Sequence, residues 1–265
     1  MLPGVFSTSK KNGESYYRAS ITYMGKHISL GSYGKENDAY QAYLLSGEIL
    51  SDESAWNIDN YPNPCILSYH KWVVLNNVRD NKIYFKNPIY LKKQYFTYYF
   101  DKNFYLKFDV DDLFYYAHHK ILKRGGHLFV SDYGMQVNIL SRYGIRNYSV
   151  PGKDYLFSNG DETDYRYGNI EIINRFHGVT KSFWKKQPVF IAKIHINGDY
   201  LIGRYPSETE AAIAYNKAVL LLWNSGLRIK FTQNYIEGID EIAYATTYQR
   251  IRLSKKLRAY AESLL

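Results

Sequence analysis

An internal repeat constrains the fold of this chain more than any other sequence feature. Residues 4–43 read GVFSTSKKNGESYYRASITYMGKHISLGSYGKENDAYQAY, and residues 178–218 read GVTKSFWKKQPVFIAKIHINGDYLIGRYPSETEAAIAYNKA. Both copies open with Gly-Val and a basic turn, pass through an alternating stretch and a Gly turn, and finish with an Ala- and Tyr-rich segment. Self-similarity of this kind predicts one small folding unit present twice.

Each copy predicts a three-stranded antiparallel sheet followed by one helix. Polar and apolar residues alternate over residues 17–23 and 190–196, and Gly-containing turns follow both stretches. The segment Ser207-Glu208-Thr209-Glu210 is a capping box at the start of the second helix. Small Ala side chains let the helix lie close to the sheet. One face of the sheet is then covered, and the other is free and narrow enough to enter a DNA major groove.

This order of features resembles the AP2 DNA-binding domain, over residues 4–43 in the first copy and 178–218 in the second. In that family the free sheet face reads the major groove, largely through Arg and Trp. The resemblance therefore implies DNA contacts by Phe6, Thr8, Lys10, Arg18, Ser20, Thr22, His27 and Ser29, and by Thr180, Ser182, Trp184, Lys185, Lys193 and His195.

The two copies lack most of the arginines that plant AP2 domains carry. Bidentate Arg–guanine pairs are the usual route to sequence-specific reading in the major groove. Hydroxyl and aromatic contacts to A·T-rich DNA are an equally open alternative for these copies.

The region between the copies differs from them in composition and in its pattern of apolar residues. Residues 52–66 contain two prolines and many turn formers, which predicts a linker, and residues 69–108 are aromatic and strand-like. A helix is predicted from Asp109 to a stop at Gly125-Gly126. The predicted divisions are AP2-like module 1 (1–52), a linker (53–68), a central domain (69–176, with an HNH-like part at 126–176), AP2-like module 2 (177–232) and a basic C-terminal helical tail (233–265).

The stretch DYLFSNGDETDYRYGNIEI, residues 154–172, resembles the HNH endonuclease motif of bacterial and phage proteins that also carry an AP2 domain. The residues that match the motif at the family's spacing are Asn159-Gly160, Asp164, Arg166, Asn169 and Ile170. The AP2-like copy follows within a few residues, as in that family arrangement.

The resemblance implies a metal ligand and a general base at two positions where this chain has neither. Leu156 and Phe157 occupy them, and no histidine lies between His127 and His177. Neither an aliphatic nor a phenyl side chain can bind a metal ion or move a proton. We therefore expect the HNH-like unit to have lost hydrolysis, and we expect no catalytic residue, metal site or cofactor.

An active endonuclease that uses other residues remains an alternative hypothesis. His118 and His119 follow Asp109, Asp111 and Asp112 on the predicted helix, where Asp111 and His118 would share a face. Loss of divalent-metal-dependent nicking on His118→Ala or His119→Ala would identify such a site.

The charge of the chain favours a polyanionic partner. The formal net charge is +9 and the isoelectric point is about 9.2. A basic patch, YQRIRLSKKLRAYAESLL, adds Arg250 and Arg252 to the predicted DNA contacts, with a solvated amphipathic helix end as the alternative. One cysteine, Cys65, excludes an internal disulfide, and the absence of a long apolar run or an apolar leader predicts a soluble cytoplasmic protein.

The sequence thus predicts an α+β protein in which two small AP2-like units, each a three-stranded antiparallel sheet plus one helix, flank a β-rich degenerate HNH-like central domain. The predicted function is non-catalytic binding of double-stranded DNA, as a regulator or a domesticated relative of a homing nuclease. Two alternatives stay open. One is an active HNH-type endonuclease, and the other is a mobile-element inhibitor that occupies the nucleic-acid site of a protein partner.

Overall fold

The computed structural model describes residues 2–265, which form two compact units. The first unit runs to residue 139 and includes residues 159–169; the second comprises residues 140–158 and 170–265. Both units combine helices with small antiparallel sheets, which confirms the predicted α+β class.

The first unit begins with a three-stranded antiparallel sheet and a covering helix, here called module 1. Its elements are β1 (Val5–Ser9), β2 (Ser15–Tyr23), β3 (Lys26–Tyr33) and α1 (Glu36–Ser51). Val5, Ala19 and Ile28 on the sheet are buried against Ala39 and Ala42 of α1. The small helix residues allow the close approach that the sequence predicts.

A second helix, α2 (Tyr69–Asn81), completes the core of module 1. The prediction of strands throughout residues 69–108 is therefore wrong for the first 13 of them. Ser68 caps the helix by accepting a hydrogen bond from the Lys71 amide, and Trp72 is fully buried. The segment predicted as a linker, 53–68, has no helix or strand and carries the fully buried Leu67 into the same core.

The rest of the first unit consists of two further three-stranded antiparallel sheets and a short helix. The elements are β4 (Ile89–Leu91), β5 (Tyr95–Tyr99), β6 (Tyr105–Asp109), a 3-10 turn (Val110–Asp112), α3 (Leu113–His118), β7 (Ile121–Arg124), β8 (His127–Asp132) and β9 (Met135–Asn138). The predicted helix ends at His118, before the Gly pair. Gly125 and Gly126, with φ of 55° and 81°, instead form the two-residue turn between β7 and β8.

The second unit contains a short hairpin and a second module of the same design, here called module 2. Its elements are β10 (Tyr155–Phe157), β11 (Ile170–Ile172), β12 (Val179–Trp184), β13 (Gln187–His195), β14 (Asp199–Tyr205) and α4 (Glu208–Asn224). Ser207 accepts a hydrogen bond from the Glu210 amide, as the capping box predicts. Two 3-10 turns, Ile139–Tyr143 and Tyr167–Asn169, complete the elements of the chain before module 2.

The C-terminal segment belongs to the core of module 2. It forms α5 (Glu241–Arg250) and α6 (Lys255–Glu262), separated by an extended break where the basic patch predicted continuous helical spacing. The break has a packing cause, since Ile251 and Leu253 are buried against α4 and Ser254 starts a new helix by capping the Leu257 amide.

The two modules agree in details beyond their strands. The carbonyl of Gly4 accepts a hydrogen bond from the Ser20 amide in module 1. The carbonyl of Gly178 accepts from the Lys193 amide in the same way in module 2. The strand register shifts after Ala19 and after Ala192, where Leu30 of β3 and Ile202 of β14 are left without a partner in the central strand.

The similarity also continues past the region that the sequence repeat covers. The last tyrosine of each sheet donates its hydroxyl to a downstream carbonyl, Tyr33 to Ile66 and Tyr205 to Arg252. A buried Leu and a helix-capping Ser follow in both cases, at positions 67–68 and 253–254. The duplicated unit is thus longer than residues 4–43 and 178–218 suggest.

Candidate nucleic-acid interface

The free face of module 1 is defined by the strand register. Phe6 pairs with Arg18, which pairs in turn with Ser32. Thr8 pairs with Tyr16, Ser20 with Ser29 and Thr22 with His27. Because paired residues point to the same side of a sheet, all of these side chains lie opposite α1. The residues predicted for the first copy therefore share one face.

Accessibility differs among these residues. Phe6 is 53% exposed, and Arg18, Thr22, His27 and Ser29 are exposed as well. Ser20 lies on the same face but is only 8% exposed. Neighbouring side chains therefore cover Ser20, and its hydroxyl lies below the accessible surface of this face.

Arg18 and Lys10, two cations of this face, have different partners. The guanidinium of Arg18 lies 5.8 Å from the centre of the Tyr16 ring, which orients it over the sheet. Lys10, in the turn after β1, forms an exposed ion pair with Glu14 at 2.8 Å. The Lys10 pair lowers the pKa of Glu14, first through its hydrogen bond and then through its charge.

The free face of module 2 follows from the same register argument. Thr180 pairs with Ile191, Ser182 with Val189, Trp184 with Gln187, Lys193 with Leu201 and His195 with Asp199. The register also assigns Arg204 to this face, because Arg204 pairs with Ile191. Sequence reasoning missed Arg204, although its alternation with the buried Tyr205 and the Gly203 before it could have revealed it.

Each module carries one arginine at the same level of its sheet. In module 1 the row is Phe6, Arg18 and Ser32, and in module 2 it is Thr180, Ile191 and Arg204. The arginine thus changes strand between the copies but keeps its row. A single guanidinium on the free face can make one bidentate contact to a guanine edge or to a phosphate.

The hairpin between β12 and β13 distinguishes module 2 from module 1. Its two-residue turn consists of Lys185 and Lys186 with φ of 49° and 69°. Such turns are favoured for Asn-Gly, and side chains beyond Gly, Asn and Asp pay a cost in this conformation. Trp184 and Phe183, which precede the turn, are 67% and 69% exposed. The turn in module 1 offers no aromatic side chain.

An acid–imidazole pair completes the face of module 2. Nδ1 of His195 lies 2.9 Å from a carboxylate oxygen of Asp199, and both side chains are exposed. The hydrogen bond from His195 is the main reason why the pKa of Asp199 is lowered. A carboxylate on this face repels phosphate but can accept a hydrogen bond from a cytosine amino group.

The two predicted contacts at the end of the chain are unlike each other. Arg250, at the end of α5, donates to Glu210 at 2.6 Å, so part of its charge is neutralised. Arg252 is exposed, and its backbone carbonyl is held by Tyr205.

The polar residues that match the HNH motif bond to one another in a closed network. Asn169 accepts from the Asn159 amide and donates its own amide to the Asp164 carbonyl. The Asp164 carboxylate, 1% exposed, accepts from Asn159 and from Arg166. Burial acts to raise the pKa of Asp164, but the bonds and charge of Arg166 outweigh it and the pKa is lowered. The side-chain carbonyl and amino groups of Asn169 thus each have a partner within the protein.

The loop that carries this network is anchored by a second carboxylate. Asp161 accepts from the Lys107 ammonium at 2.8 Å and from Thr163. The hydrogen bond from Lys107 is the main reason why the pKa of Asp161 is lowered to about 2.

The hairpin of β10 and β11 holds the two positions that the resemblance to the HNH motif assigns to a metal ligand and a base. Leu156 and Phe157 are half-buried there. Asp154, the nearest preceding carboxylate, is 6% exposed and accepts from Arg146, from the Val150 amide and from Asn174. Its oxygens therefore have structural partners.

The histidines of the alternative hypothesis have structural partners as well. Nδ1 of His118 donates to the Phe114 carbonyl and Nδ1 of His119 donates to the Tyr115 carbonyl. His119 also stacks on Tyr115 and lies 3.6 Å from Asp132. Within residues 2–265, no three His, Cys, Asp or Glu side chains are grouped so that they could hold a metal ion.

Comparison with known proteins returns no relative. No protein-family model, no curated protein and no solved structure matches this chain. Across the described residues, none of the helices has the length and apolar character needed to cross a membrane.

Proposed function

We propose that this chain binds double-stranded DNA without cutting it, using the free sheet faces of module 1 and module 2 as its contact surfaces. The main support is the similarity of the two faces. Both have the same strand register and are left uncovered by their helices, and both present hydroxyl, imidazole and cationic groups. Antiparallel strands of this width are established readers of DNA grooves.

The HNH-like unit supports the non-catalytic part of the proposal. Its polar residues hydrogen-bond to one another, and Leu156 and Phe157 occupy the positions where a metal ligand and a base would be required. The Asn169 oxygen already accepts a hydrogen bond from the Asn159 backbone amide, and one neutral amide oxygen does not retain a divalent ion by itself. The unit therefore serves as a scaffold within the chain.

When one module is bound to DNA, it raises the local concentration of the other module there. The modest affinities of the two modules therefore combine into a higher affinity of the whole chain. The simplest role is that of a regulator, or of a relative of a mobile homing nuclease that has kept binding and lost cleavage. If five to eight cations reach phosphates, log K should fall with log salt with a slope of about −4 to −7.

The test is fluorescence anisotropy of the full chain on a mixed-sequence 30-base-pair duplex, over a salt series with and without Mg²⁺, followed by a denaturing gel. Tight, salt-dependent binding with intact strands is the expected result. Cleaved strands would overturn the non-catalytic assignment, and failure to bind at moderate salt would overturn DNA as the partner.

A further inference from the structure

A cleft on the helical side of module 2 has the composition of an anion site with an apolar floor. Its volume is about 570 Å³, which lies within the range of small-molecule sites. The floor is formed by Leu220, Leu221, Tyr248, Ile251 and Leu253. Three cations, Lys217, Arg252 and Arg258, line the same cleft together with Asn224.

The cations of this cleft are uncompensated. None of the lining residues is acidic. Within residues 2–265, the side chains of Arg252 and Arg258 make no hydrogen bond or ion pair with the protein. Like charges that share a concave surface repel one another, and a bound anion relieves that repulsion.

The backbone around the cleft is fixed before any ligand arrives. The Arg252 carbonyl accepts from Tyr205, and the Ser254 amide donates to the Ile202 carbonyl. Lys217 donates to the carbonyls of Tyr248 and Ile251, and its ammonium lies 4.9 Å from the centre of the Tyr248 ring. The backbone and the Lys217 ammonium are therefore positioned before a ligand binds, and the ordering cost falls on the side chains of Arg252 and Arg258.

We propose that this cleft binds a nucleotide, with its phosphate on Arg252 and Arg258 and its base on the floor beside Leu220 and Tyr248. Guanidinium groups suit phosphate oxygens because they donate paired N–H groups, and an aromatic and aliphatic floor suits the face of a base. The nucleotide can be free or can be the end of a strand. The cleft is separate from the free sheet face, so the inference does not depend on duplex binding.

The test is isothermal titration calorimetry of the full chain with dTMP, with 5′-phosphorylated pentathymidylate and with inorganic phosphate. Binding of dTMP at least tenfold tighter than inorganic phosphate is the expected result. Tighter binding of the pentamer would assign the site to a strand end, and equal binding would assign it to free nucleotide. Equal affinity for dTMP and inorganic phosphate would overturn the assignment of a base site.

Two pairs of variants complete the experiment. Combined Arg252→Gln and Arg258→Gln should weaken dTMP binding tenfold or more, because each removes a charge-assisted hydrogen bond, whereas Arg204→Gln on the sheet face should leave it unchanged. Leu220→Glu should abolish binding by placing a carboxylate in the cleft, and Leu220→Gln should retain most of it. Leu220 is 36% exposed, so neither change disturbs the core. Unchanged dTMP affinity in the double arginine variant would overturn the proposal.

Discussion

Gly178 lies directly against the ring of Tyr215, and a methyl group on Gly178 would come within 2.3 Å of that ring. The same methyl would lie 2.3 Å from the Lys193 carbonyl, and the φ of Gly178 is +68°. Gly4 and Tyr43 have the same relationship in module 1. The first Gly of the repeated Gly-Val is thus required by a close approach between strand and helix.

Gly178→Ala should therefore destabilise module 2 strongly. Gly238→Ala provides a matched control, because Gly238 has a φ of +76° but open space around it. We expect a loss of about 1 kcal/mol for Gly238→Ala from the backbone alone, and about 2–5 kcal/mol for Gly178→Ala because overpacking adds to it. Urea unfolding measures both, and equal losses would show that the contact with Tyr215 is unimportant.

The network around Asn169 predicts a structural role for that residue. Asn169→Ala leaves the Asn159 amide and the Asp164 carbonyl without partners, so the free energy of unfolding should fall by about 2–3 kcal/mol. Asn103→Ala, on an exposed turn, should change it little. Mg²⁺ should stabilise neither the unmodified chain nor Asn169→Ala. Stabilisation of the unmodified chain by Mg²⁺, lost in Asn169→Ala, would show instead that Asn169 binds an ion.

The pair of Asp161 and Lys107 predicts a pH dependence. The pKa of Asp161 is lowered from 3.8 to about 2 in the folded protein, so its carboxylate stabilises the fold fully above about pH 4. That contribution is lost as the pH falls towards 2, and the partly exposed pair limits it to about 1 kcal/mol or less. Unfolding of Asp161→Asn should depend less on pH between 4 and 2. Glu162→Gln removes a neighbouring exposed carboxylate and should keep the original dependence.

Arg18 and Arg204 occupy the same row of their two sheets, and we therefore predict equivalent roles for them in DNA binding. Arg18→Gln and Arg204→Gln should each weaken duplex binding by about 1–3 kcal/mol if the guanidinium contacts a base edge. If it contacts a phosphate, the loss should be uniform across sequences and the salt slope should become shallower by about 1. Lys230→Gln, exposed and outside both sheets, is the control in the anisotropy assay. An effect of Lys230→Gln as large as that of Arg204→Gln would argue against the sheet face.

Sequence patterns predict the type of an element correctly where one of its sides is exposed, because polar and apolar residues then alternate with its period. The sheets follow from alternation and turns, and the start of α4 follows from Ser207 and Glu210. The helix α2 was mistaken for strands because it is buried on most sides, from Trp72 to Val78, and so shows no amphipathic period. The Gly pair at 125–126 is compatible with a helix stop or a hairpin turn, and only the pairing of β7 with β8 decides between them.

The candidate interface was predicted in part for a related reason. The outward residues of β1, β2, β12 and β13 follow from alternation, but a bulge after Ala192 shifts the phase between β13 and β14. Arg204 lies beyond that shift, and its pairing with Ile191 establishes which face of the sheet it occupies. The packing of Leu253 on α4 could not be predicted either, because contacts between distant segments leave no local pattern.

Two adjacent aromatic residues at the hairpin of module 2 offer the sharpest test of which face meets DNA. Trp184 pairs with Gln187 and points to the free face, whereas Phe183 pairs with Pro188 and points to the side that carries α4. Their exposures, 67% and 69%, are nearly equal, so either can be replaced by Ala with little change in stability. Trp184→Ala should weaken duplex binding by about 1–3 kcal/mol, the range for loss of an aromatic contact to a base. Phe183→Ala should leave the affinity within about 0.5 kcal/mol, as expected for a surface change away from the interface. Anisotropy at fixed salt measures both, and a larger effect of Phe183→Ala would mean that the helix side of the hairpin, and not the free sheet face, approaches the DNA.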